Sequence, residues 1–157
     1  MKFNRLPRVA LGGLLWGLLL TSAGCDRRID VDFNFALEQS DHVLVEQLLE
    51  GGADVNRRYR LVDGQTNLML LARDAWNPRG LEFLIAHGAE LKLHSYNGRT
   101  ALYVAAANGH DRHVELLLEA GADPMIATDR GDSPLAAATG KGYASVERIL
   151  LANGARR

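Results

Sequence analysis

Apolar residues recur at spacings of three and four along several short segments of the chain, and each segment ends close to a glycine. In one of them Val114, Leu117 and Leu118 keep this spacing, and the segment at 146–150 (VERIL) repeats it. Such spacing places the apolar side chains on one face of a helix. The pattern therefore predicts short amphipathic helices that each bury one face.

The glycines after these segments keep a fixed step along the chain. Gly88, Gly121 and Gly154 follow one another at intervals of 33 residues, within GAE, GAD and GAR. A second landmark keeps the same step, because GRTAL at 98–102 recurs as GDSPL at 131–135. Two independent landmarks with one period indicate a repeat architecture rather than a single irregular core.

Helix ends can be predicted within each repeat. Thr66, Thr100 and Ser133 are good N-cap residues, since a side-chain oxygen can accept hydrogen bonds from the free N–H groups of a first turn. Pro134 suits the first helical position, where its missing N–H costs nothing. The glycines that follow the second helices are expected to end them in the left-handed conformation; these are Gly52, Gly88, Gly121 and Gly154.

These residues resemble the ankyrin repeat, whose pattern runs G-x-T-P-L-H-x-A-A-x-x-G-H before a valine-rich helix and L-L-x-x-G-A-D. The closest copy is 98–124, followed by 131–155, by a looser copy at 64–90 and by a terminal one at 29–54. The resemblance implies an all-α fold over 32–157, a solenoid of about four helix-turn-helix repeats joined by hairpin-like turns. The first and last repeats would act as caps.

The copies depart from the family pattern at a few positions. Tyr103 and Met69 stand where the family has histidine, and Asn67 stands where it has proline. The stretch AWNP at 75–78 adds one residue between the helices of the second copy. Within it Trp76 replaces the histidine of the GH pair, and it either covers the bottom of its helix pair or contacts a partner.

The first 24 residues differ from the rest and read as an export signal. A basic start is followed by an uncharged stretch at 9–20, which is shorter than the roughly 20 apolar residues that span a bilayer. LTSAGC at 20–25 resembles a bacterial lipobox, although Ser22 stands where that family prefers leucine. The resemblance implies cleavage before Cys25 and acylation of its thiol with fatty acids such as palmitate.

Two other fates of this segment stay open. A general signal peptidase could recognise the small residues Thr21 and Ala23, or the segment could be a retained signal anchor in which the cysteine is coincidental. With acylation, 25–31 would form a short tether and the domain would face the periplasm, lipid-anchored in the bacterial cell envelope. Asp26 follows the cysteine directly. In enterobacterial lipoproteins an aspartate there tends to favour the inner membrane.

Composition and charge narrow the function. The 157 residues are 47% hydrophobic and 24% charged, with 18 basic and 19 acidic residues and one cysteine. The chain has no excess of basic residues that would indicate nucleic-acid binding. The lone cysteine excludes a domain stabilised by internal disulfides. These values describe one modest globular domain without a composition-level preference for any partner.

No motif in the chain indicates catalysis. There is no nucleophile elbow, phosphate loop or zinc-protease motif, and nothing indicates a cofactor or a small-molecule substrate. His110 and His113, with Asp111 and Glu115, are the closest approach to a metal site. The first resembles the family's structural GH histidine and the second is expected in a packed helix position, so we predict no metal site and no enzyme.

The remaining candidate is a protein-binding surface on the turn tips and first helices, where ankyrin proteins vary. The turn between Gly52 and Gly64 is two residues longer than its counterparts, and arginine and tyrosine are enriched at interface hot spots. By register we expect the long turn to act together with the tips of later turns. The candidate partner-binding residues are Arg57, Arg58, Tyr59, Arg60, Tyr96, Arg99, Asp129 and Arg130.

The sequence thus favours a non-enzymatic protein-binding module in the envelope. Small exported bacterial ankyrin proteins are similar in build to immunity proteins, so an inhibitor of a secreted toxic effector is the leading hypothesis. A structural, assembly or stress-defence factor for an envelope complex is the alternative, and an enzyme without a recognised motif is the third.

Overall fold

The protein is a stack of helix pairs that alternate with turns. The computed structural model describes residues 33, 35–37, 39–74 and 76–156, and the expectations for the signal segment, Cys25, Asp26 and the tether lie outside these residues. Positions 33 and 35–37 are helical. The helices that follow are α1 (His42–Glu50), α2 (Asn67–Arg73), α3 (Pro78–Ala86), α4 (Ala101–Asn108), α5 (Asp111–Glu119), α6 (Pro134–Lys141) and α7 (Ala144–Ala152).

The predicted helix ends are confirmed. Thr66, Thr100 and Ser133 are N-caps of α2, α4 and α6, and each side-chain oxygen accepts from the backbone N–H three residues later, at 3.4, 3.2 and 3.1 Å. Pro134 is the first residue of α6. The four glycines that follow the second helices all have left-handed backbone angles, between 85° and 94° in φ. Local sequence therefore decides where each helix begins and ends.

The core lies between two layers of helices. First helices α2, α4 and α6 pack side by side, as do second helices α3, α5 and α7. Ala105, Ala106 and Ala138 are fully buried, since small side chains let adjacent pairs approach closely. This arrangement confirms the predicted all-α solenoid, and no helix in the described part of the chain is long and apolar enough to cross a membrane.

The predicted apolar face of α5 needs one correction. Val114 and Leu117 are fully buried, but Leu118 is only half-buried at the edge of the core. Successive helical residues are rotated by about 100°, so the neighbour of a central core residue lies at the border of the buried stripe. His113 and Leu116 are buried on the other side of that stripe.

The long turn between the first two repeats is an antiparallel hairpin. Strand β1 (Arg58–Tyr59) pairs with β2 (Gln65–Thr66), and one turn of 3₁₀ helix (Arg60–Val62) joins them. Asp63 follows with a φ of 60°, which reverses the chain before β2. The Tyr59 hydroxyl donates to Asn67 Oδ1 at 2.9 Å, so the hairpin is held to the start of α2.

Successive turns are joined edge to edge. The backbone N–H of Tyr96 donates to the Asp63 carbonyl at 2.9 Å, and the Asn97 amide donates to the Asp63 carboxylate. The ring of Tyr96 lies against Gly64, where an added Cβ would be only 2.6 Å from its Cε1 atom. The N–H of Asp129 in turn donates to the Asn97 carbonyl at 3.3 Å. The turn tips therefore form one continuous edge of the solenoid.

Candidate functional site

The first helices of three repeats line a groove of about 510 Å³. Small side chains form much of its wall, among them Ala107 on α4 and Ala136, Ala137 and Gly140 on α6. A row of small residues on neighbouring helices leaves a depression between the larger side chains on either side. The side chains that give the groove its chemistry are Gln65, Arg73, Arg99, Tyr103, Asp132 and Lys141.

Cations exceed carboxylates in this groove. Arg73 Nε lies 3.6 Å from Asp74 Oδ1, but both side chains are well exposed, so this pair contributes little to stability. Lys141 Nζ donates to the Ala107 carbonyl. Arg99 Cζ lies 5.8 Å from the centre of the Tyr103 ring, within cation–π range. The groove thus offers positive charge beside an aromatic surface.

A smaller cleft of about 240 Å³ adjoins the groove and shares Arg99, Tyr103 and Asp132 with it. Asp129 and Arg130, both predicted as partner-binding residues, line the cleft. The structure therefore brings three of the predicted residues together at one place, at the junction of the turn tips with the first helices.

The other predicted residues lie elsewhere. Tyr96 is 55% exposed and packs on Gly64, at the edge formed by the turn tips. Residues 57–60 belong to the hairpin and line neither the groove nor the cleft. The predicted set thus divides into two surfaces, one around Arg99 and one on the hairpin.

Sequence reasoning did not select Tyr103, which lines both cavities. The sequence does contain a signal for this residue, because Tyr103 stands in a first helix where the ankyrin-repeat pattern has histidine. Its ring is half-buried, and a tyrosine in a concave surface supplies both apolar area and a hydrogen-bonding hydroxyl.

Trp76 is 60% exposed, so most of its ring faces solvent instead of covering the bottom of the helix pair. The neighbouring Asn77 is buried in its place, with 2% of its surface exposed. The idea that Trp76 covers the pair is therefore not supported, and a contact with a partner remains a hypothesis for this side chain.

His110 and His113 do not form a ligand set. The two rings meet edge to face, with their centres 5.7 Å apart, and His110 Nε2 lies 2.7 Å from the Arg73 carbonyl. His113 is 1% exposed, as the sequence predicted for a packed position. Within the described ranges no group of three or more His, Cys, Asp or Glu residues is placed to hold a metal ion.

The imidazole of His113 is buried without a hydrogen-bond partner on either nitrogen. Burial lowers its pKa, and the neighbouring charge of His110 lowers it further. The backbone of Asn77 and the Asp74 carboxylate act in the opposite direction, the former without a hydrogen bond of good geometry. His113 is therefore held in its neutral form.

We expect the free energy of unfolding to fall as the pH drops below about 6.5, the ordinary histidine pKa. Because the folded-state pKa of His113 is lowered, the unfolded chain binds more protons in this window, and stability rises with pH across it. Urea denaturation of wild type and His113→Leu between pH 7.5 and 5.5 measures the effect. The free energy of unfolding should change less steeply with pH in His113→Leu than in wild type. His94→Gln alters an exposed histidine and should keep the wild-type slope. Equal slopes in wild type and both variants would contradict the prediction.

The stacked helix pairs, with a groove along their first helices, define a helical-repeat protein, or solenoid. The sequence model of the family described as ankyrin repeats (three copies) matches residues 33–128 and 77–156. The chain belongs to the ankyrin-repeat family, whose members are generally protein–protein interaction modules.

Curated relatives share these repeats within much longer chains. The chain is 35% identical over 95 residues to human ankyrin repeat domain-containing protein 63, covering 59% of this chain and 25% of that protein. It is 42% identical over 127 residues to a protein of Dasypus novemcinctus, the ankyrin repeat, SAM and basic leucine zipper domain-containing protein 1. The match covers 78% of this chain and 26% of that protein. It is 32% identical over 151 residues to the Arabidopsis thaliana E3 ubiquitin-protein ligase XBAT32, covering 78% and 29%. The chain thus spans about a quarter of the length of these relatives.

Proposed function

We propose that this protein is a non-enzymatic binding module whose groove holds an acidic segment of a partner protein. The observation that carries the proposal is the grouping of Arg73, Arg99 and Lys141 around Tyr103, with Asp132 as the one carboxylate among the described residues that line the groove. Opposite charge across an interface speeds encounter and selects partners. The aromatic ring adds apolar contact beside the charges.

The proposed setting is the periplasmic face of a bacterial membrane, where acylated Cys25 would anchor the chain and Asp26 would favour the inner membrane. In that setting we assign the protein as an immunity protein or inhibitor that neutralises a secreted toxic effector. The basic start, apolar stretch and lipobox-like residues support the anchor. An assembly or stress-defence role for an envelope complex is the alternative, and an adjacent toxin or phospholipase gene would favour immunity.

The groove is tested by a photo-crosslinking amino acid at position 103, introduced in cells and compared with one at position 148 on α7. Partner proteins should be captured from position 103 and not from 148, since Arg148 is exposed outside the groove. Arg99→Ala with Lys141→Ala should weaken the captured partner's affinity at least tenfold and reduce the salt dependence of its on-rate. Arg79→Ala with Arg148→Ala makes the same charge change outside the groove and should have no effect. Equal capture from both positions, or undiminished binding of the partner by Arg99→Ala with Lys141→Ala, would contradict the proposal that the groove binds the partner.

The anchor is tested at Cys25. Cys25→Ser should abolish incorporation of labelled palmitate and leave uncleaved precursor, because acylation of the thiol must precede cleavage in the lipoprotein pathway that the residues resemble. Ser22→Ala keeps the thiol and serves as the matched control, which should still be labelled. Unchanged labelling of Cys25→Ser would rule out this cysteine as the acylation site.

A further inference from the structure

The tip of the long hairpin is apolar and exposed. Leu61 is fully exposed and Val62 is 39% exposed, in the 3₁₀ turn that joins β1 to β2. Single exposed apolar residues are common on protein surfaces. Two adjacent ones at the end of a hairpin form a small hydrophobic surface that has no contact with the core.

Cations flank this apolar tip. Arg58 and Arg60 are both exposed, and the nearest carboxylate along the turn, Asp63, accepts a hydrogen bond from Asn97 in the next turn. Apolar side chains combined with arginines are the chemistry of a surface that meets anionic lipid headgroups. A standard protein interface buries about 800 Å² on each partner, whereas the exposed apolar surface of this tip consists of two neighbouring side chains.

The hairpin also joins the first two repeats, in the half of the described solenoid that is nearer the N-terminus. Asn77 Nδ2 donates to the Leu37 carbonyl at 2.7 Å, so the helical segment at 35–37 is joined to the start of α3 in the second repeat. Phe33 is buried in the core four residues before Leu37, so the described chain enters the solenoid one repeat before α2. Cys25 is eight residues before Phe33. An extended chain of eight residues spans at most about 28 Å, so the anchor would lie within that distance of Phe33.

We propose that the hairpin tip, Leu61 and Val62 with Arg58 and Arg60, docks on the anionic lipid surface to which the chain is anchored. The inference rests on the proposed anchor and is independent of what the groove binds. Docking supplies a second membrane contact beside the anchor and so fixes which end of the solenoid lies nearer the bilayer.

The test places an environment-sensitive fluorophore (NBD) on the tip. The acylated chain keeps Cys25, whose sulfur is blocked by the lipid, and carries Leu61→Cys as its only free thiol. It is reconstituted in vesicles of phosphatidylcholine with or without phosphatidylglycerol. The matched control carries the label at Met125→Cys, an apolar turn residue that is 49% exposed two repeats away. In anionic vesicles the label at 61 should shift to the blue and be quenched by nitroxide-bearing lipid, whereas the label at 125 should do neither.

The charge contribution is measured in the same labelled chain. One cation near an anionic surface changes the docked-to-free ratio about fivefold, so Arg58→Gln with Arg60→Gln should lower it about 25-fold. Arg79→Gln with Arg148→Gln removes the same charge elsewhere and should leave the ratio unchanged. An unshifted and unquenched label at 61, or equal changes at 61 and 125, would overturn the proposal. A shift that needs added partner protein would assign the tip to a protein contact instead. Crosslinking from position 103 reports separately on the groove.

Discussion

Deletion of residues 133–157 is expected to leave a chain that aggregates or melts far below the parent. The deletion removes α6 and α7, which pack against α4 and α5, and with them the buried Leu135, Val146 and Leu150. Each buried aliphatic side chain contributes about 1.5–3 kcal/mol, whereas a whole domain is stable by only about 5–15 kcal/mol. The apolar faces of α4 and α5 would also become exposed, because a repeat buries its core only against its neighbours.

The measurement is a thermal melt by circular dichroism beside size-exclusion chromatography. Deletion of residues 156–157 alone is the control, because it leaves α7 and the buried Ala155 in place and should melt like the parent. A soluble deletion product with the parent's melting temperature would show that the last repeat does not cover the third.

Asn77→Ala is expected to lower the free energy of unfolding by about 1.5–3 kcal/mol. Its Oδ1 atom accepts from the Gly80 N–H at 2.8 Å and caps α3, while its Nδ2 atom donates to the Leu37 carbonyl at 2.7 Å. Ser40 Oγ also donates to Oδ1, at 3.3 Å. Alanine therefore removes a helix cap and one of the two donors to the buried Leu37 carbonyl, which keeps only the Ser40 N–H at 3.0 Å.

Urea denaturation against a second cap variant separates the two contributions. Asp41 caps α1 by accepting from the Leu44 N–H at 3.1 Å at an exposed site, so Asp41→Ala should cost only about 1 kcal/mol. The additional loss of free energy of unfolding in Asn77→Ala, compared with Asp41→Ala, measures how much the bond between the first two repeats stabilises the fold. Equal losses in the two variants would mean that the bond to Leu37 contributes nothing.

The repeat fold could be predicted because its signals are local. Thr100 caps a helix through an N–H three residues away, and Gly121 ends one in the left-handed conformation by its own backbone freedom. Neither effect depends on distant parts of the chain. Val114 and Leu117 lie on one face of a helix by spacing alone, so their burial was also predictable.

The candidate site was predicted only in part. Arg99, Asp129 and Arg130 were selected by repeat register, and the structure brings them together around the small cleft. Tyr103 was missed because register does not show which first-helix side chains border a cavity. Arg58 and Arg60 were grouped with Arg99, yet strand pairing places them on a separate hairpin.

The sequence alone determined the period, the caps and the buried faces, since each arises from residues within a few positions of one another. Only the tertiary structure decided that Asn77, next to an inserted residue, joins two repeats, and that Tyr103 lines both cavities. It also decided that the imidazole of His113 is enclosed without a partner. These outcomes depend on which repeats meet and at what distance, and contacts between residues some 30 to 40 positions apart leave no periodic trace in one sequence.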